Sequence, residues 1–593
     1  MANIAVKARA VPRWTLHDLL SQPDKDFERL CRQQERQVSQ LERLRPRLKQ
    51  NVSSTLFKQA YQLKEAIAEI SATLHAYAFL WFAENTQQQA ARAFQATVRE
   101  RLTKLDNRIL FLDLWWQGLS IHKAKSHLRQ SGTLHYYLDT LTRIKPHTLS
   151  ETEEQIIRVK DSTGRSAIEM LYGVLTSGFK FSLKIDGKVQ TLTREELTTH
   201  VRHPSTQRRQ AAYQELFRLY SGHRDVIGEM YKSLVLDWKN EGVTLRRHRT
   251  PIAVRNMAND VPDQAVTALL TTCRKHSSIF QHYFRLKAKL LKKKNLTRYD
   301  LYAPLRTSST NYSFSQAWKM VHESFQHFSP EVAKLAARVV EERHLDARIR
   351  PGKMGGAFCY SVTPRLTPYV LMNFNGHPRD ISTLAHELGH AVHGMLAHQH
   401  SVLTFHSSLP LAETASIFGE QLLSENFLSH ERNVQAKRAL LMTQLDDLYA
   451  TILRQAYFVE FERLAHDMIN DGATIDALAQ AYLQLLREQF GHDVQVSKEF
   501  QWEWLSIPHI FSSPFYCYAY SFGNLLVLAL YQRYKQEGNA FVPKYLNLLS
   551  AGGSASPESL LKPLNVNILS ERFWQEGFTR IQDLVVELEK TMP

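Results

Sequence analysis

The stretch Ser382-Thr383-Leu384-Ala385-His386-Glu387-Leu388-Gly389-His390-Ala391-Val392-His393 decides how the rest of the chain is read. Leu384, Ala385, Leu388, Ala391 and Val392 recur at three- and four-residue intervals, which predicts a helix with one apolar face. Asp380 or Ser382 can cap its start. His386 and His390 stand four apart, so their imidazoles share a face and can converge on one metal. Zinc suits two neutral ring nitrogens and a carboxylate, with a fourth position left for water. Glu387, next to the first histidine, would sit beside that water and take its proton as general base. In a chain with 26 His, this pattern arises by chance on the order of 0.05–0.1 times, so the surroundings must decide.

Downstream, the third ligand separates the possible subclasses. A metzincin would need glycine at 393 and histidine at 396, where this chain has His393 and Leu396. A glutamate on a following helix remains. Glu413 is the best candidate, because its neighbours Leu411, Ala412, Ala415 and Ser416 are apolar or small and an unpaired carboxylate among them would be costly. Glu420, seven residues on, shares its helical face and is an outer partner or an alternative ligand. His393 suits an outer or substrate-side role, since a fourth protein ligand would close the open position. A later cluster holds His509, Tyr516, Tyr518 and Tyr520. Core packing accounts for these aromatics as well as a functional role does, in which His509 and one or more tyrosines donate to an oxyanion.

Upstream, residues 352–376 carry Gly352, Gly355, Gly356, Pro364 and Pro368 among short apolar runs, which predicts a small strand pair. Most of the remainder reads as long amphipathic helices, as at 57–82 and 211–238. Ser150 and Glu153 form a capping box. Period-two alternation at 179–185 running into Asp186-Gly187 predicts a β-hairpin. A border near 200 then separates an N-terminal helical domain (1–200) from a catalytic domain (201–593).

Composition excludes several classes. With 593 residues, 44% hydrophobic and 23 Gly, the chain is neither fibrous nor disordered. The 74 Lys+Arg against 58 Asp+Glu leave a charge of +16, but no nucleic-acid-binding signature accompanies the basic blocks. Four scattered cysteines make no disulfide framework and fit a reducing compartment. The basic N-terminus lacks a continuous apolar core, and the most apolar run elsewhere, 525–530, is too short to span a bilayer, so a soluble cytoplasmic protein is expected.

Taken together, residues 385–393, Ala412-Glu413-Thr414-Ala415-Ser416, and His509 with Phe515-Tyr516-Cys517-Tyr518-Ala519-Tyr520 resemble the thimet oligopeptidase/oligoendopeptidase F family of zinc peptidases, most closely its bacterial oligoendopeptidase F branch. Residues 352–357 and 369–374 fit the strand pair before that family's zinc helix. The resemblance is strong over 352–523 and weaker over 146–250. It implies a mainly α, zincin-type fold: a large helical body with a deep substrate channel and a small β-sheet next to the zinc helix. It implies one Zn2+ per chain on His386, His390 and Glu413, with Glu387 as base. His509 and Tyr518 would stabilise the tetrahedral intermediate, assisted by Tyr516 or Tyr520. Gly355, Gly356 and Ala357 would pair with the substrate backbone. The expected partners are oligopeptides, with no nucleic acid and no membrane, in a monomer or small homo-oligomer. The rival readings are a zinc carboxypeptidase on a similar scaffold and a non-catalytic basic polyanion-binding protein.

Overall fold

A computed structural model describes residues 11–305 and 311–592; the N-terminal segment at 1–10, read above for targeting, lies outside the described residues. Helices dominate, and the chain packs as two compact units that interleave in sequence. Among the described residues, the first comprises 11–145, 311–427 and 533–566, and the second 146–305, 428–532 and 567–592. Neither unit ends at the border near 200 expected from the sequence. The chain leaves the first unit after Lys145, and the hairpin packs within the second, where Phe179 meets Tyr220 edge-on at 5.2 Å.

In the first unit, helices Pro23–Leu44, Ser54–Glu84 and Gln89–Ile109 pack against one another. Val38, Phe57, Tyr61, Leu105 and Trp116 form the core at one end. The Ser54–Glu84 helix is, among the described residues, the one long and apolar enough to cross a membrane by length and composition, exceeding the 525–530 run singled out above. Leu74, Ala76, Leu80 and Ala83 of that helix are fully buried. At its C-terminal end Leu80 and Ala83 pack with Trp14, Val362, Tyr369 and Leu371, which seats a small sheet on the helix.

That sheet is the strand pair expected at 352–376, extended by one strand. Phe358–Tyr360 runs antiparallel to Tyr369–Leu371, which also pairs in parallel with Leu345–Asp346. The order leaves Phe358–Tyr360 as an edge. Helix Pro378–Leu396 packs against this sheet and against Phe314–Phe328 and Pro330–Glu341.

In the second unit, Phe181–Ile185 and Lys188–Leu192 form the expected hairpin, with positive φ at Asp186 (48°) and Gly187 (86°), the signature of a primed turn. The Ser150–Glu153 capping box is present. The helix expected over 211–238 is two helices, Thr206–Gly222 and Arg224–Trp238, because His223 leaves helical geometry (ψ 15°) after Gly222. Buried ion pairs cross this unit, among them Arg298–Glu503 at 2.7 Å and Lys287–Asp446 at 2.6 Å.

Candidate active site

The central helix begins at Pro378, whose fixed φ and missing N–H suit a first helical position. Its N-cap is therefore His377 rather than Asp380 or Ser382. Asp380 instead reaches back as the third helical residue, accepting from the backbone N–H of His377 (3.0 Å) and of Asn375 (2.7 Å). Leu384, Ala385, Leu388, Ala391 and Val392 are buried, so this face packs inward as the period predicts. His386 and His390 lie on the other side, half-buried at 26% and 23% exposure.

Gly389, between the histidines, lets a second segment come close. A Cβ there would stand 2.5 Å from the Ala415 carbonyl oxygen and 2.6 Å from Ser416 Cα. Gly419 answers from the other side, where a Cβ would meet Ala385 O at 3.0 Å. This approach carries Glu413, the residue between helices Leu409–Ala412 and Thr414–His430, onto the histidines. Glu413 Oε2 lies 3.3 Å from His386 Nε2 and 3.4 Å from His390 Nε2. Ser416 Oγ donates to the same carboxylate oxygen at 2.9 Å.

These distances test whether the residues fit a metal. Ligands about 2.0–2.1 Å from a tetrahedral ion are themselves about 3.3–3.4 Å apart, which the observed spacings match. Tautomer logic agrees. His386 Nδ1 lies 2.6 Å from Glu420 Oε1, and since a carboxylate only accepts, the proton of the neutral ring sits on Nδ1. The Nε2 lone pair then faces the Glu413 carboxylate, an arrangement that a cation resolves. The donor set of two imidazoles and one carboxylate suits zinc.

Glu387 is 6% exposed, and its burial raises the carboxyl above the usual range, with His386 and His390 opposing. It lines a cleft of about 630 Å³ together with His386, His390, Glu413, Ala357 and Cys359. His393 lines the cleft as well; burial pushes its imidazole down to about 4, and it bonds the Ala412 backbone rather than joining the His386–His390–Glu413 cluster. The sheet edge thus borders the histidine helix, with Gly355 and Gly356 just before it, both exposed. Two side chains that the sequence reading missed support this segment: Lys353 and Asn373. Lone polar residues at such positions carry no periodic signal.

The His509 cluster belongs to the second unit. His509 Nε2 is 3.5 Å from the Tyr520 hydroxyl, and the rings of Tyr516 and Tyr520 are 5.3 Å apart. Tyr518 is turned away. Two residues along a helix is about 200° of rotation, so it faces inward where Tyr520 does not. It is fully buried and its hydroxyl accepts from Asn259 Nδ2 at 2.8 Å. The preceding turn is held on both sides: Arg255 Nε donates to Pro514 O (2.9 Å), and Phe515 N, at a φ of 59°, donates to the buried Glu462 (2.7 Å). Burial pushes the Glu462 carboxyl up to about 8.

Residues 199–580 match the profile of Peptidase family M3, and residues 124–181 that of the Oligopeptidase F N-terminal family. The chain is 27% identical to the oligoendopeptidase F homolog of Borreliella burgdorferi over 73% of each chain. It is 25% identical to the group B oligopeptidase PepB of Streptococcus agalactiae over 87% of each. In fold it is similar to a crystal structure from Chlamydophila abortus, at TM-score 0.86 and 22% identity with 98% of each chain covered. It is also similar to oligoendopeptidase-F from Enterococcus faecium, at TM-score 0.73 and 20% identity with 96% of this chain and 99% of that chain covered.

Proposed function

Because the chain belongs to peptidase family M3 and is a metallo-endopeptidase, we propose that it hydrolyses internal bonds of short oligopeptides, with one zinc ion held by His386, His390 and Glu413. The observation that carries this reading is the triad itself: two imidazole nitrogens 3.3 and 3.4 Å from one carboxylate oxygen, with Glu387 lining the same cleft. Zinc bound there supplies Lewis acidity toward the scissile carbonyl and toward a water molecule.

The remaining chemistry belongs to the chain. Glu387 accepts the proton of the attacking water and hands it to the leaving amine; its burial raises the carboxyl toward a range where it can do both. Glu420 keeps the His386 proton on Nδ1 and so presents Nε2 as a ligand. Gly355, Gly356 and Ala357, which lead into the edge strand Phe358–Tyr360, offer backbone groups to an extended peptide that continues along that edge. His509 donates to the oxyanion of the tetrahedral intermediate, assisted by a tyrosine. The resemblance points to Tyr518 for that role, with Tyr516 or Tyr520 assisting; the hydroxyl beside His509 favours Tyr520. A cytoplasmic setting accords with four free cysteines.

The test is product analysis of an N-acetylated, C-amidated peptide with and without a chelator. Chelator-sensitive internal cleavage is expected. Trimming restricted to peptides with a free carboxylate would assign a carboxypeptidase instead. Absence of bound zinc and of hydrolysis, with salt-dependent nucleic-acid retention, would refute the enzymatic reading.

A further inference from the structure

The glycine segment before the edge strand is held from one side by side chains and left bare on the other. Lys353, whose side chain is 1% exposed, donates to Met372 O (2.6 Å), to Asp346 O (3.0 Å) and to the Asp346 carboxylate (2.9 Å). Met354 N bonds Ala83 O at 2.9 Å. Asn373 then donates from its single amide nitrogen to two carbonyls, Met354 O and Gly356 O, both at 3.0 Å. A Cβ built at Gly355 or Gly356 meets nothing within 4 Å, so close packing within the chain does not demand glycine at either position. Gly356 does need its freedom, with φ at 77°.

Two adjacent glycines on an exposed loop lose much conformational freedom when a ligand orders them. Asn373 removes that freedom beforehand. It occupies the two carbonyls that face it and so fixes which backbone groups of 355–357 remain for a partner.

We propose that Asn373 is a positioning residue that holds the glycine edge ready for substrate, setting peptide affinity without touching the reacting atoms. This rests on the peptidase reading above. Asn373→Asp replaces a donor by a carboxylate facing two carbonyl oxygens, so both bonds are lost and repulsion takes their place.

The experiment compares the zinc-loaded parent and N373D on a blocked peptide long enough to lie along the edge, and on acetohydroxamate, a small ligand that takes only the metal. KM for the peptide is expected to rise about tenfold, the equivalent of two modest hydrogen bonds, with kcat within about twofold. The acetohydroxamate inhibition constant and the zinc content should stay parental. If N373D does not fold, N373A removes both bonds without adding a charge and should raise KM in the same way. A parental KM in the folded variant overturns the inference, as does an equal loss of acetohydroxamate affinity, which would locate the damage at the metal centre. A parent that leaves the blocked peptide uncut refutes the peptidase reading itself, before any variant is compared.

Discussion

Substituting Gly389→Ala asks whether the metal site depends on close approach of two backbones. The added methyl carbon would stand 2.5 Å from Ala415 O and 2.6 Å from Ser416 Cα. Non-bonded heavy atoms prefer about 3.5–4.0 Å, so the two segments must part by about 1 Å, and both obstacles are main chain that cannot swing aside. Alanine gains about 1 kcal/mol of helix propensity over glycine, whereas overpacking of this kind costs about 1–3 kcal/mol or more. The net effect is therefore a loss. The larger consequence falls on Glu413, two residues before Ala415. Metal–ligand distances tolerate only about 0.2 Å, so a displacement of about 1 Å takes this proposed ligand out of range. Zinc affinity, measured by competition with a chromogenic chelator, is expected to fall about 10- to 100-fold, together with the melting temperature. Gly394→Ala serves as the control, since its nearest obstacle is the Ser361 hydroxyl at 2.5 Å, the end of a side chain that can rotate. A G389A protein with parental zinc affinity and melting temperature would refute the packing argument.

Other outcomes follow from the same structure. Glu387→Gln should retain stoichiometric zinc by atomic absorption while peptide turnover falls about 10²–10⁴-fold, the range for a general base. Glu413→Ala should lose the metal, whereas Glu420→Gln, which disturbs only the His386 proton, should weaken zinc binding about 10- to 100-fold. Tyr520→Phe should lower kcat more than Tyr518→Phe, because Tyr518 is buried and engaged by Asn259; the reverse ranking would return the oxyanion role to Tyr518. Glu462 gives a pH signature. Its folded pKa of about 8 lies above the ordinary 4.5, so the protonated form stabilises the fold below pH 4.5 and that contribution fades as pH rises through 8. Glu462→Gln keeps an acceptor for Phe515 N without the charge, and thermal melts should show its stability relative to the parent improving from pH 5 to pH 9 by on the order of a few kcal/mol. A gap that does not change with pH would contradict the burial of a titrating carboxylate.

Much of this site is legible in one dimension because its parts are local. His386 and His390 need only one helical turn between them, and the alternation at 179–185 with Asp186-Gly187 specifies its own hairpin. The strand pair at 352–376 announces itself by its glycines and prolines, but the third strand, Leu345–Asp346, is two residues long and exists only because Tyr369–Leu371 is there to pair with it. The helix over 211–238 shows the opposite failure: its periodicity runs through Gly222 and His223, where the backbone turns. The tyrosines at 516, 518 and 520 look alike in sequence, and only burial and the Asn259 contact distinguish Tyr518.

Helical period and local spacing already put His386 and His390 one turn apart, Glu387 beside them and Glu413 downstream, which is the pattern the proposed metal chemistry needs. Which carboxylate meets the imidazoles, and which hydroxyl stands beside His509, emerges only from packing. Packing decided too that Lys353 and Asn373 hold the glycine edge. The physical reason is range. Helical period and turn chemistry act over a few residues, whereas these choices turn on contacts between residues far apart in the chain, such as Gly389 against Ala415 and Glu462 against Phe515, and follow from how the packed backbones fill space.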